Sequence, residues 1–188
     1  MPISGGTVAR YQLKVTLLGV RPPVWRRLYV PGDVTFARLH RILQVVMGWH
    51  DQHLHDFEIA GVFYGRIVEE QDEDVLRDET RVRLDQVVRA EGTRFRYRYD
   101  FGDEWRHEVV VERIAAPDPA EPAAIRCIGG RRASPPEDCG GPPGYAMLLA
   151  AFQQPEHPAF RDWIEAHGGF DPSLFDREAI HRALDALD

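Results

Sequence analysis

The chain has 188 residues, 44% of them hydrophobic, and its 30 acidic and 23 basic side chains give a formal net charge of −7. An apolar content of this size excludes an intrinsically disordered protein. No apolar run approaches the roughly 18 residues that a membrane helix needs, and the N-terminal residues do not resemble a secretory signal. Two cysteines are too few for a secreted disulfide framework. We therefore expect a cytoplasmic protein with no membrane partner.

The N-terminal part of the sequence predicts two strands followed by a helix. Apolar side chains alternate with polar ones over residues 8–19, and a second extended run covers 24–30. Between 36 and 47 the apolar period changes to that of an amphipathic helix. Thr35 is a suitable N-cap and Gly48 a suitable C-cap, so the helix is expected to run between them.

The middle of the chain predicts short strands around an acidic segment. Residues 54–59 and 62–64 have strand patterns, whereas 69–79 carry seven acidic side chains. Such a run repels itself, and we interpret it as a solvated loop. A strand at 81–84 and a helical turn near 85–88 are expected to follow.

The most regular pattern in the chain is a hairpin. Over 94–99 the aromatic side chains all fall on one face of a strand and the arginines on the other. A turn at 101–104 leads into a second strand over 105–113. Because the aromatics and arginines point in opposite directions, the strand does not form a mixed surface for stacking on single-stranded nucleic acid.

The C-terminal part contains a long loop and then helices. Residues 115–143 are rich in proline and glycine and include both cysteines. Helices are expected over 145–152, 158–167 and 176–187, the last with Asp176 as its N-cap. The fold class is therefore α+β: a largely antiparallel sheet with one N-terminal helix, a C-terminal helical segment and a long Pro/Gly-rich loop between them.

Five separated motifs occur in order along the chain. They are RPPVWRR at 21–27, LH at 39–40 with MGW at 47–49, HLHDF at 53–57, YDFGDEWRHE at 99–108 and PPEDCGGPPGY at 135–145. Together they resemble the Ri-plasmid open-reading-frame-three-like family of bacteria and archaea. The resemblance covers about 8–187 and implies a single domain over 1–188. It also implies a domain of unknown function, sometimes plasmid-borne and so associated with mobile DNA elements, and it supplies no catalytic residue.

The histidines and cysteines are the candidates for a metal site. Zinc binds thiolate and imidazole ligands, and the sequence offers His53, His55, His107, Cys127 and Cys139. The alternative is that the histidines hydrogen-bond to carbonyls at a strand end and the cysteines are small buried side chains.

The turn of the predicted hairpin holds the candidates for acid–base catalysis. Asp100 and Asp103 lie close together, with His107 shortly after them, and a carboxylate can orient an imidazole. The alternative is that these aspartates accept hydrogen bonds from turn amides. A metal-supported hydrolase-like enzyme using these residues beside the His/Cys site is our second hypothesis for the function.

The basic side chains are concentrated at the N-terminus. Residues 1–68 carry 8 basic and 4 acidic side chains, whereas the remainder of the chain is acidic. An anion or nucleic-acid contact would therefore use arginines of this part: Arg21, Arg26, Arg27, Arg38 and Arg41. The net negative charge nevertheless disfavours nucleic acid as a partner.

The first hypothesis is a non-enzymatic binding or interaction module for a protein, peptide or small molecule. Three segments are expected to converge into one cleft: the residues around His53 and His55, the turn at 99–103, and the loop at 135–138. Polar groups that converge beside aromatic side chains are the usual composition of a ligand site.

Overall fold

The computed structural model describes residues 8–68, 75–118, 124–154, 156–158, 161–166 and 169–187. Its strands and helices are β1 (Arg10–Leu17), β2 (Trp25–Pro31), α1 (Phe36–Met47), β3 (His55–Ile59), β4 (Val62–Gly65), β5 (Leu76–Asp78), α2 (Leu84–Val87), β6 (Arg94–Tyr99), β7 (Trp105–Ala115), β8 (Arg126–Arg131), α3 (Gly141–Gln153), α4 (Arg161–Ala166) and α5 (Arg177–Asp185).

All eight strands join one sheet, in the order β5-β4-β3-β6-β7-β1-β2-β8. Every neighbouring pair is antiparallel except β4 with β5, which is parallel. β6 and β7 form the predicted hairpin in the centre of the sheet, with Tyr97 opposite His107 and Tyr99 opposite Trp105. The α+β class with a largely antiparallel sheet is confirmed.

Helix α1 covers the face of the sheet formed by β3, β4 and β6. The Thr35 side chain accepts a hydrogen bond from the Arg38 amide at 3.2 Å, and Gly48 ends the helix with a φ of 73°. Phe36 anchors the helix, since its ring stacks on Tyr64 at 4.9 Å and lies 5.1 Å from Phe57. Both predicted caps are therefore correct.

The alternation predicted for β6 is present. Its aromatic side chains are buried against α1, while the arginines face outward and pair with acidic side chains of the neighbouring strands. Among them, Arg94 reaches Glu108 at 2.8 Å. The outer face of the hairpin is thus a ladder of opposite charges, a usual way of stabilising cross-strand pairs.

Two strands differ from the sequence predictions. A strand was expected at 81–84, but β5 precedes this stretch and 81–83 form a turn with one isolated bridge between Thr35 and Arg83. The Pro/Gly-rich loop contains β8, which adds to the sheet edge beside β2. Two glycines in β8 hid its pattern, because periodicity is read from side chains that glycine lacks.

The last helix, α5, lies against β8 and α1, whereas α3 and α4 contact each other. Asp176 caps α5 by accepting from the Ala179 amide at 2.9 Å, and His181 donates from Nε2 to the Cys127 carbonyl at 2.8 Å. Helix α4 forms part of the helix predicted at 158–167, of which residues 159, 160 and 167 lie outside the described ranges. Residues 69–74 of the predicted acidic loop also lie outside them. Of the helices described, none is long and apolar enough to span a membrane.

Candidate functional site

Three distant segments meet at one end of the sheet. The Trp49 indole donates to the carbonyl of Pro135 at 2.9 Å, which ties the end of α1 to the Pro-rich loop. Glu137 of that loop accepts from the His50 amide at 3.0 Å and from the hydroxyl of Tyr99 on β6. The segments that the sequence grouped into one cleft are therefore in contact.

A cluster of one imidazole and two carboxylates lies at this junction. His53 Nε2 is 3.0 Å from an Asp138 oxygen and 3.6 Å from an Asp100 oxygen. Asp100 is buried, and its other oxygen accepts from the amides of Gly102 at 2.9 Å and Asp103 at 3.2 Å. We call His53, Asp100 and Asp138 the junction cluster.

A second histidine cluster lies between α1 and β3. The rings of His40 and His55 stack in parallel with their centroids 3.4 Å apart. His40 Nε2 is 2.8 Å from an Asp51 oxygen, and His55 Nε2 is 2.7 Å from an oxygen of Glu79. We call these four residues the paired-histidine cluster. Burial, reinforced by the neighbouring His55, lowers the pKa of His40 to about 4.

A buried hydrogen-bond chain fixes the orientation of His40. Gln44 accepts from the Asp51 amide at 2.9 Å and donates from its side-chain nitrogen to the Tyr97 hydroxyl at 2.9 Å. That hydroxyl lies 2.8 Å from His40 Nδ1. When the hydroxyl donates to Nδ1, His40 carries its proton on Nε2 and donates to Asp51, so every group in the chain has a partner.

Two adjoining clefts open beside the paired-histidine cluster. A polar cleft of about 290 Å³ exposes the Asp51 side chain and is bordered by Arg66. An apolar cleft of about 420 Å³ is lined by four exposed apolar side chains: Leu54, Val68, Val75 and Phe101. Leu54, His55 and Arg66 line both clefts. The surface therefore combines an apolar patch with charged groups of both signs.

The predicted His/Cys metal set is not assembled. His53 and His55 belong to different clusters, and neither cluster includes His107, Cys127 or Cys139. Cys127 lies on β8, where its thiol donates to the Gly129 carbonyl at 3.5 Å. Cys139 is buried, and burial raises the pKa of its thiol to about 12. As the alternative interpretation expected, both cysteines are small buried side chains.

The three predicted catalytic residues do not come together. His107 is fully buried on the core face of β7, where Nδ1 lies 3.3 Å from the carbonyl of Tyr97. The period of the strand places it beside Trp105 and Val109 rather than in the turn. Asp100 and Asp103 hold the turn and the loop together, since Asp103 accepts from the Gly140 amide at 3.1 Å.

The predicted anion contacts are mostly occupied. Arg26 is only 3% exposed and donates to carbonyls of Val46, Trp25 and Arg131 and to the Ser134 hydroxyl. Its guanidinium forms part of the wall of an apolar cavity of about 510 Å³.

The other two arginines of this segment, Arg27 and Arg21, do not form a shared basic surface with Arg26. Arg27 makes a two-fold contact with Glu112 at 2.7 and 2.8 Å. Arg21 is exposed. The expected basic patch is therefore not formed by these residues, because consecutive positions of a strand face opposite sides of the sheet.

Sequence reasoning missed His40, Asp51, Glu79 and Asp138 as members of the clusters. His40 has a signal in the sequence, because it falls on the apolar stripe of α1 four residues after Phe36. A polar side chain at such a position is buried and needs a partner. Glu79 was assigned to a solvated acidic loop, yet it is 5% exposed and hydrogen-bonded to His55.

The model of the family described as plasmid pRiA4b ORF-3-like protein matches residues 9–179. The chain belongs to this family. A relative, the uncharacterised protein y4hQ of Sinorhizobium fredii, is 36% identical over 180 residues, covering 94% of this chain and 91% of the relative.

A crystal structure has the same fold. It is that of the protein of unknown function MM3350 from Methanosarcina mazei Go1, with a TM-score of 0.81 and 34% identity, covering 91% of this chain and 97% of that one. The family assignment made from the motifs is thus confirmed. Neither the protein y4hQ nor the protein MM3350 has an assigned function that could be compared with the geometry of this site.

Proposed function

We propose that the chain is a non-enzymatic binding module for a small ligand with an apolar body and a zwitterionic head group, such as an apolar α-amino acid. The observation that carries this proposal is the union of the polar and apolar clefts, which share Leu54, His55 and Arg66. Small-molecule sites generally combine an apolar lining with a few fixed polar groups.

The polar cleft offers one group for each charge of the head. The Asp51 side chain is 56% exposed and faces an imidazole that is neutral at pH 7, so its negative charge is not cancelled. Arg66 is exposed and makes no ion pair with another described residue. An ammonium group placed at Asp51 and a carboxylate at Arg66 would each gain a charge-assisted hydrogen bond.

The apolar cleft supplies the site for the body of the ligand. Leu54, Val68 and Val75 are each more than half exposed, which is unusual for neighbouring large apolar side chains. Phe101 lines one side of the cleft, and the guanidinium of Arg98 lies over its ring, 4.2 Å from the centroid. Covering this patch removes apolar surface from water and so favours binding.

The hydrogen-bonding state of the paired-histidine cluster favours binding over catalysis. Polar atoms of the paired-histidine cluster are already partnered, and burial raises the pKa values of both thiols. A buried protonated thiol is a poor nucleophile. The association with mobile DNA elements stays a prediction, since it concerns where the gene is carried.

L-phenylalanine is a suitable probe, titrated into labelled protein with observation of backbone amides by NMR. About a dozen heavy atoms at roughly 0.3–0.5 kcal/mol each give about 4–6 kcal/mol, which is a Kd between roughly 0.04 and 2 mM. Shifts are expected at Leu54, His55, Arg66 and Phe101. Phenethylamine, 3-phenylpropanoate and glycine each lack one of the three recognised features and should bind at least about tenfold more weakly.

Two variants test the contacts. Asp51→Asn and Leu54→Ser should each weaken L-phenylalanine about tenfold or more, whereas Asp138→Asn, in the junction cluster, should leave its affinity unchanged. The proposal fails if L-phenylalanine at about 10 mM shifts none of the cleft amides. Equal affinity for glycine would equally exclude a role for the apolar cleft.

A further inference from the structure

The imidazole of the junction cluster has an unusual environment. His53 Nε2 is shielded from solvent and has no hydrogen-bond partner, although carboxylate oxygens of Asp138 and Asp100 lie 3.0 and 3.6 Å away. The distance to Asp138 is that of a hydrogen bond, but the direction is not, because hydrogen bonds require the acceptor to lie near the N–H axis. The imidazole nitrogen and the two carboxylate oxygens therefore lie within 4.8 Å of one another without a hydrogen bond from the nitrogen to either oxygen.

We propose that His53, Asp100 and Asp138 bind a divalent transition-metal ion such as Zn²⁺ or Mn²⁺. His53 also lines the polar cleft, so the site borders the proposed ligand-binding groups, but its three ligands are not among those groups and the proposal does not depend on them. Two ligands that each lie about 2.1 Å from a metal, at angles between 90° and 110°, are roughly 3.0–3.4 Å apart. The ligand atoms of the cluster all lie within 4.8 Å of one another, so small side-chain movements suffice to close around an ion.

The backbone holds the two carboxylates in place before an ion arrives. Asp100 and Asp138 have φ values of 57° and 56°, in the left-handed region that aspartate tolerates better than most residues. One oxygen of Asp100 accepts from the amides of Gly102 and Asp103, which leaves the other directed towards His53. A ligand whose second atom is held by hydrogen bonds loses little freedom when a metal binds.

The charge around the cluster is suited to a cation. Two further acidic residues neighbour the ligands, since the Asp103 amide donates to Asp100 and Glu137 directly precedes Asp138. Neither Asp100 nor Asp138 is paired with an arginine in the described part of the chain. The uncompensated negative charge therefore favours a divalent ion at this point.

The donor set selects the type of metal. One imidazole nitrogen and two carboxylate oxygens suit zinc, manganese or ferrous iron, whereas calcium and magnesium prefer oxygen ligands alone. Three protein ligands leave coordination positions for water or for an exogenous group. Asp138 is 66% exposed, so these positions face the solvent.

The paired-histidine cluster serves as an internal comparison. His40, His55 and Asp51 also lie within 4.8 Å of one another, but their contacts satisfy hydrogen-bond geometry. Hydrogen bonds therefore account for the short distances in the paired-histidine cluster, and no metal ion is needed to explain them. Asp51 has a φ of 56°, so Asp51→Asn is the same substitution at the same backbone conformation as Asp138→Asn.

Isothermal titration calorimetry of the chelator-treated full chain with Zn²⁺, Mn²⁺ and Mg²⁺ tests the site. We expect about one Zn²⁺ and one Mn²⁺ per chain, with weaker binding of Mg²⁺. Asp138→Asn and His53→Gln should each lower Zn²⁺ affinity by about 10- to 100-fold, while Asp51→Asn should leave it unchanged. Mn²⁺ should broaden the NMR signals of residues 53, 100 and 138.

Three results would overturn the proposal. The first is that the unmodified chain binds neither Zn²⁺ nor Mn²⁺ at about 1 mM, a concentration far above the Kd of a protein metal site. The second is that Asp138→Asn and His53→Gln both bind Zn²⁺ as the unmodified chain does. The third is that only Asp51→Asn loses Zn²⁺, which would assign the ion to the paired-histidine cluster. Because the Asp138 side chain is exposed, its substitution tests metal binding with little effect on the stability of the fold.

Discussion

The fully buried His107 predicts a specific pH dependence of folding. Burial lowers its pKa to about 4, and the nearby charge of Arg26 acts in the same direction, against hydrogen bonds to the backbone at Tyr97 and Trp105. In the unfolded chain a histidine has a pKa of about 6.5. The unfolded chain therefore binds the proton more tightly, and the free energy of unfolding falls as the pH drops from 6.5 towards 4.

The size of the effect follows from the two pKa values. Near pH 7 the folded state of His107 is neutral and only about a quarter of unfolded chains carry the proton, so the destabilisation there is about 0.2 kcal/mol. At pH 5 nearly all unfolded chains carry the proton and few folded ones do, which destabilises the folded state by about 2 kcal/mol. In His107→Leu this contribution is absent. The pH dependence that remains comes from other groups, among them His40, whose pKa is also lowered.

Urea unfolding at pH 7 and pH 5 measures the difference. Between these pH values the unmodified chain should lose about 2 kcal/mol more stability than His107→Leu. Val109→Ala is the matched control, because Val109 is buried on the same strand face and has no titratable group. It should lower the stability by about 2 kcal/mol at both pH values and keep the pH dependence of the unmodified chain.

One outcome would refute this reasoning. If His107→Leu loses as much stability between pH 7 and pH 5 as the unmodified chain, the imidazole is either hydrated or protonated in the folded state. Its full burial would then not control its charge. A reduced pH dependence in Val109→Ala would instead show that any weakening of β7 has this effect.

Three further predictions concern the loop, a surface ion pair and a thiol. Gly141→Ala should destabilise the chain by about 2 kcal/mol or more, because φ is 66° at this position and a Cβ would lie 2.5 Å from the Asp103 carbonyl oxygen. Thermal unfolding measures the loss, and an unchanged Tm would contradict this prediction. Arg27→Ala should lower the free energy of unfolding by at most about 1 kcal/mol, and by less in 1 M salt, because the ion pair of Arg27 with Glu112 is partly exposed. A larger loss in urea unfolding that does not depend on salt would show that the packing of the Arg27 side chain dominates. Because burial raises its pKa to about 12, Cys139 should react with iodoacetamide at pH 8 only after unfolding, as mass spectrometry would show; rapid labelling of the folded chain would show that the loop opens.

Local features of the sequence were sufficient where one residue or one short period decides the structure. Thr35 and Gly48 predicted both ends of α1, because caps depend on a single side chain or backbone angle. The hairpin of β6 and β7 followed from unbroken alternation across a short turn. β8 was not predictable in this way, since it pairs with a strand about 100 residues earlier and carries two glycines.

The candidate site shows where local information ends. The sequence grouped the segments around His53, Tyr99 and Pro135, and these do meet. It also grouped His107 and the cysteines with His53, but His107 is buried on the core face of β7, Cys127 lies on β8, and neither they nor Cys139 belong to the cluster of His53. Asp138 joined the cluster only because the loop folds back across the sheet.

The fold class, the caps of α1, the central hairpin and the family could all be read from the sequence, because each depends on residues that are close together or in a fixed order. Which imidazole faces which carboxylate depends instead on how distant segments pack together. His53 is brought to Asp100 and Asp138, and His55 to Glu79, by contacts between separate segments. Such contacts depend on strand register and loop path, and those are set by the packing of the whole core rather than by any local pattern.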